Sequence, residues 1–112
     1  RKSFAHGERV TAEVLEENWA PLSRRENRMA LWLQQRRFDY SLTEQRLGDL
    51  RVPTLVLWGD ADRFDRPWQA HELGRRIPDA TVRILPGCGH SVQEDCPVPA
   101  NAALSSFLTR RS

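Results

Sequence analysis

The side chains able to do chemistry in this chain lie in two short loops of its second half. One is Gly59-Asp60-Ala61-Asp62-Arg63-Phe64; the other is Pro86-Gly87-Cys88-Gly89-His90-Ser91. A carboxylate beside an imidazole makes a general base: the carboxylate accepts Nδ1–H, fixes the tautomer, and stabilises the cation formed when Nε2 takes a proton. Ser91 offers a rival reading, in which Gly89-His90-Ser91 opens a sharp strand-to-helix turn with Ser91 as nucleophile. That turn needs small residues on both sides of the serine, and Gln93 stands where a glycine is required. It also needs a histidine further along the chain, and no residue after Ser91 is one. His90 is therefore taken as the functional residue.

The elements around the loops explain how the two could meet. Thr54-Leu55-Val56-Leu57-Trp58 is an unbroken apolar run ending at Gly59, the pattern of a parallel strand covered on both faces. Pro67 then opens a helix carrying Ala70, Leu73 and Ile77 on one stripe, which stops before Pro78. The next strand, Thr81-Val82-Arg83-Ile84-Leu85, alternates, with Arg83 turned away from Val82 and Ile84. Pro97 begins a last helix with Ala100, Ala103, Leu104, Phe107 and Leu108 along one side. A strand–helix–strand crossover makes the strands parallel, so both chemical loops leave the same sheet edge, where ligands bind in open α/β sheets. Adjacent strand axes are about 4.8 Å apart, which puts an aspartate on one loop within reach of the histidine on the other.

Residues 1–49 read as helical. Thr11 can cap a helix bearing Val14, Leu15 and Trp19, which Pro21 interrupts. Ser23 with Glu26 and Ser41 with Glu44 have the spacing of capping boxes for two more helices, the first with Met29, Trp32 and Leu33 on one face and the second ending near Gly48. The chain divides at residue 50 into this helical segment and an alternating strand–helix part, 50–112. The fold class is α/β, with two parallel strands and about five helices.

Composition narrows the function. A net charge of +2, with arginines in scattered pairs such as Arg24-Arg25, Arg36-Arg37, Arg75-Arg76 and Arg110-Arg111, argues against nucleic-acid binding. There is no signal-like stretch and no run able to span a membrane, which gives a cytoplasmic expectation. Cys88 and Cys96, which bracket His90, lack with His71 the spacing of a zinc site, so no metal is expected; a Cys88–Cys96 disulfide is conceivable but not expected in a reducing compartment. Asp60 and Asp65 compete with Asp62 for the acid role, since loop aspartates also serve as caps and turn residues. Glu94 and Asp95 precede a helix N-terminus and read as complements to its dipole.

With these residues in view, the sequence resembles the α/β-hydrolase superfamily. VPTLVLWGDADRFDRP (52–67) is similar to that family's strand and acid loop, an apolar strand followed by W-G-x-x-D and a proline. LPGCGHSVQEDCP (85–97) is similar to its histidine segment, and the helix ending in Phe107-Leu108 resembles its closing helix. The resemblance covers about residues 50–108 and implies that Asp62 is the acid and His90 the histidine of a catalytic triad. Residues 1–49 resemble the end of a helical cap and its connecting helix, as in the epoxide hydrolase and haloalkane dehalogenase branch.

No nucleophile elbow or oxyanion-hole loop occurs in the 112 residues, so both are expected upstream, with the chain as the C-terminal part of the fold. The resemblance implies small, largely apolar esters, epoxides or alkyl halides as substrates, and no cofactor. Phe64, Ser91, Trp19 and Trp32 are the candidates for a substrate pocket, each with packing as its alternative. Alone, the chain is expected to be inert. The competing reading is a noncatalytic, hydrolase-like binding domain or an inactive fragment.

Overall fold

The computed structural model describes residues 3–110; Arg111 of the last arginine pair lies outside them. The elements run α1 (Ala12–Trp19), α2 (Arg25–Arg37), α3 (Ser41–Arg46), β1 (Thr54–Gly59), α4 (Trp68–Arg76), β2 (Ala80–Leu85), α5 (Val92–Asp95) and α6 (Pro97–Thr109), with single 3-10 turns at Gly7–Arg9, Ala20–Leu22 and Leu47–Asp49. Among the described residues the sheet has two strands, paired in parallel with Val56 opposite Val82 and Gly59 opposite Leu85. The crossover read from the sequence is present. The one-turn α5 is additional to the five expected helices.

Side-chain alternation sends the two faces of this sheet to different helices. Val56 and Val82 share the face that meets α4. There Ala70 and Ile77 are buried, and Gly74 lies so close that a Cβ on it would overlap Val82 Cγ2. Leu57 and Leu85 lie on the other face, in a cluster with Cys88 of the loop after β2 and with Val92, Cys96 and Ala100 of the α5–α6 segment. Because β1 is covered on both sides, its sequence need not alternate. Leu104 and Leu108 of α6, expected on an apolar stripe, remain exposed because a two-stranded sheet is too narrow to cover the helix along its length.

The helical half begins as expected and then departs in detail. Thr11 Oγ1 accepts the Val14 N–H at 3.2 Å and caps α1. Neither expected capping box forms. Ser23 is in helical conformation at the end of the preceding turn, its hydroxyl donating to Ala20 O at 2.7 Å. It therefore cannot adopt the extended backbone of an N-cap, and α2 starts after Arg24. Ser41 is already the first residue of α3, and the Asp39 carboxylate accepts its N–H at 2.9 Å. No residue of α1, α2 or α3 is buried. The radius of gyration is 16.2 Å. A compact domain of this length would have about 13 Å.

Candidate active site

The loops following β1 and β2 are joined backbone to backbone. Asp60 N–H donates to Leu85 O at 3.1 Å, Ala61 N–H donates to Cys88 O at 3.0 Å, and the Asp60 carboxylate accepts the Gly87 N–H at 2.6 Å. Asp60 is thus occupied in holding the second loop. Gly59 is required at the end of β1, where a Cβ would overlap the carbonyl oxygens of Cys88 and Gly89. Gly87 turns the second loop with φ of 70°, a conformation costly to residues with a Cβ.

This framework brings Asp62 and His90 together. His90 Nδ1 lies 2.9 Å from Asp62 Oδ2, and with the proton on Nδ1 the imidazole donates to the carboxylate. The other carboxylate oxygen accepts the N–H groups of Phe64 and Asp65 at 2.8 and 3.0 Å. Asp62 is 5% exposed, whereas the His90 side chain is 43% exposed, so a buried acid orients an accessible ring. Burial alone would raise the Asp62 carboxyl pKa. The bonds from His90, Asp65 and Phe64 outweigh it and hold the carboxyl below its ordinary value, so Asp62 is an anion at neutral pH.

The other expected residues divide by element. Phe64 comes to the site, its ring centroid 5.4 Å from that of His90 at a tilt of 58°. Ser91 follows His90 directly, and its N–H donates to Ser3 O at 3.0 Å. Trp19 and Trp32 stand on α1 and α2, which pack chiefly on the turn between them rather than on the sheet; Trp32 lies 4.8 Å beneath the Arg36 guanidinium. Asp65 approaches His90 Nδ1 only to 3.8 Å, and its backbone carbonyl accepts the Trp58 indole N–H.

Two expectations are corrected here. Cys88 and Cys96 form a disulfide, their Cα atoms 5.9 Å apart. The expectation against this bond rests on compartment, which carries no information on the geometry of this turn. Asp95 does not complement a helix dipole from solvent. It is 2% exposed and accepts the N–H groups of Gly89 at 2.7 Å and of Ala5 and His6 at 2.9 Å each. Burial would raise its pKa, but those three N–H groups and the nearby His6 lower it overall. The contact of Asp95 with Ala5 and His6 was invisible in the sequence, because about 90 positions separate the partners and no local pattern links them.

Metal-binding geometry has two starting points among the described residues. Ligand atoms of Asp62, Asp65 and His90 converge within 4.8 Å of one another, as do those of His6, Asp95 and Cys96. In the first group the Asp62 oxygens already hold His90 and two N–H groups. In the second, the sulfur is committed to the disulfide and cannot be a thiolate ligand. His71 is exposed on α4, and the ligand groups that converge among the described residues do not join Cys88, Cys96 and His71. Among the described residues, no helix is long and apolar enough to cross a membrane.

Comparison with known proteins gives a consistent family. The α/β hydrolase family matches residues 1–103. A 2-hydroxy-6-oxo-6-phenylhexa-2,4-dienoate hydrolase from Burkholderia cepacia is 32% identical over 102 residues, covering 88% of this chain and 36% of that protein. A monoacylglycerol lipase from Bos taurus is 35% identical over 69 residues, 62% of this chain and 20% of the lipase. The crystal structure of a serine hydrolase involved in carbazole degradation superposes with a TM-score of 0.63 at 28% identity, over 74% of this chain and 31% of its own. An α/β hydrolase from the metagenome of lagoon sediments at Mar Chica, Morocco, has the same fold, with a TM-score of 0.68 at 24% identity over 89% of this chain and 46% of its own. The chain spans a little over a third of the length of the first of these relatives. It belongs to the α/β hydrolase family.

Proposed function

We propose that this member of the α/β hydrolase family supplies the acid and the base of a catalytic triad whose nucleophile and oxyanion hole lie in the part of the fold that the chain does not span. In this reading Asp62 holds the imidazole in the Nδ1–H tautomer, and Nε2 of His90 accepts a proton from the nucleophile or from the attacking water. The observation that carries it is the 2.9 Å contact between a buried carboxylate and a half-exposed imidazole delivered by successive parallel strands.

The substrate class follows from the relatives' names only as a proposal. Two relatives are named for an oxo-dienoate and for monoacylglycerols, and one solved neighbour is a serine hydrolase. Among esters, epoxides and alkyl halides, these favour carbonyl compounds and a serine nucleophile, with His90 as its base. Phe64 would line the site beside His90. The helices α1–α3 would form the end of a cap, where Trp19 and Trp32 would meet substrate. No cofactor is called for, and the Cys88–Cys96 bond counts against the cytoplasmic setting expected from the sequence.

In the full-length enzyme, Asp62→Asn is expected to lower kcat about 10⁴-fold by presenting the wrong tautomer, and His90→Asn to cripple it by a similar factor. Wild-type turnover of an activated ester by either variant would refute the assignment. The second reading, a hydrolase-like binding domain, is favoured by the exposed apolar side chains of α1 and α2. Turnover by the full-length protein that depends on His90 would eliminate it, whereas rapid turnover by the 112-residue chain that is lost in Ser91→Ala would restore Ser91 as nucleophile.

A further inference from the structure

We propose that Asp95 is a positioning residue for His90, holding the histidine loop against the segment formed by residues 3–6; this rests on the reading of His90 as the base. A carboxylate this deeply buried must have its oxygens matched by donors. Those donors come almost entirely from backbone belonging to two distant parts of the chain. Asp95 Oδ2 accepts both Gly89 N–H, from the Cys88–Gly89 peptide one residue before His90, and Ala5 N–H. Asp95 Oδ1 accepts His6 N–H and lies 3.3 Å from the His6 ring Nδ1.

On the other side of His90, Ser91 N–H donates to Ser3 O at 3.0 Å. The residues on either side of the histidine are therefore both tied to one framework, Gly89 by its N–H to the Asp95 carboxylate and Ser91 by its N–H to the 3–6 segment. That segment lies flush on the loop: a Cβ at Gly89 would come within 2.7 Å of both Ala5 N and Ser3 O. With its neighbouring residues fixed, His90 aims its ring at Asp62 from a backbone that is already set. An amide at position 95 would break the arrangement even at constant size, because one acceptor oxygen would become an NH₂ donor facing N–H donors.

The test is NMR spectroscopy of the 112-residue chain, following the His90 Nδ1–H proton, identified by its disappearance in Asp62→Ala, together with amide exchange. In Asp95→Asn, the dispersed resonances of β1, β2 and α4 are expected to persist. The His90 proton is expected to be lost, and the Gly89 and Ser91 amides to exchange at least about tenfold faster, the equivalent of one lost buried hydrogen bond. A folded Asp95→Asn chain that keeps the Asp62-dependent proton overturns the proposal while leaving the Asp62–His90 pair standing. If that variant fails to fold, Gly89→Ala takes its place, since it keeps the carboxylate and displaces only the 3–6 segment; retention of the proton there overturns the proposal equally. A wild-type chain with no Asp62-dependent proton fails the pair itself, and this proposal with it.

Discussion

The two halves of this chain use their apolar residues in opposite ways. From β1 onward, Val56, Ala70, Ile77, Leu85 and Ala100 are buried around a two-stranded sheet, and the loops at its edge are bound to one another by backbone hydrogen bonds. Before β1, Leu15, Trp19, Met29, Trp32 and Leu33 are all exposed, and none of the three helices buries a residue. Both halves carry helix-spaced apolar stripes, so the stripe cannot be the difference. The difference is whether a second apolar surface is present to receive it, because helices of this length owe most of their stability to packing. The half with a sheet beneath its helices is also the half that assembles a site.

Substitutions in the two halves should therefore differ in cost. Removing the Ile77 side chain from the α4–sheet contact, as Ile77→Ala, is expected to cost about 2–5 kcal/mol, read from the shift in the urea midpoint of the chain. Opening the Cys88–Cys96 bond with dithiothreitol should cost less, about 2.5 kcal/mol by the chain-entropy relation for a loop this short, with the loss confined to the α/β half in amide exchange. No change on reduction would mean that the hydrogen bonds of Asp60 and Asp95 hold the loop without it.

Acid should act on the same half. Asp62 and Asp95 both have depressed folded pKa values. Their contribution to stability is therefore complete above the ordinary carboxylate pKa of about 3.9 and is lost as pH falls through the folded values. Urea midpoints across an acid pH series should decline over that window in the wild type, and decline less in Asp95→Asn. The smallest effect is expected in the other half, where Trp32→Ala should shift the stability by under about 0.5 kcal/mol. A shift as large as that of Ile77→Ala would show that α2 has a packing partner in solution and would erase the contrast.

Legibility in the sequence follows the same division. Strand, crossover helix, strand and closing helix were each visible because their signals are local: an apolar run, a proline at a helix start, alternation in β2. That an aspartate of the first loop would come near His90 was readable as well, since parallel topology constrains where two loops emerge, but topology did not say which one. The missed capping boxes show the limit of spacing, for Ser23 and Ser41 have the right neighbours but sit in helical backbone. Asp95 shows another limit. Its acidity near a helix start points to local electrostatics, whereas its partners are the amides of Gly89, Ala5 and His6.

Residue order alone determined the α/β alternation, the shared edge for the two loops, and the pairing of a carboxylate with an imidazole across them, because each depends on periodicity and on the handedness of a short connection. Only the tertiary structure decided which of three loop aspartates faces the imidazole, that Cys88 and Cys96 close on each other, and that residues 3–6 are laid against the histidine loop. These depend on the distance and direction of individual atoms after the chain has turned back on itself, and sequence separation carries no measure of either.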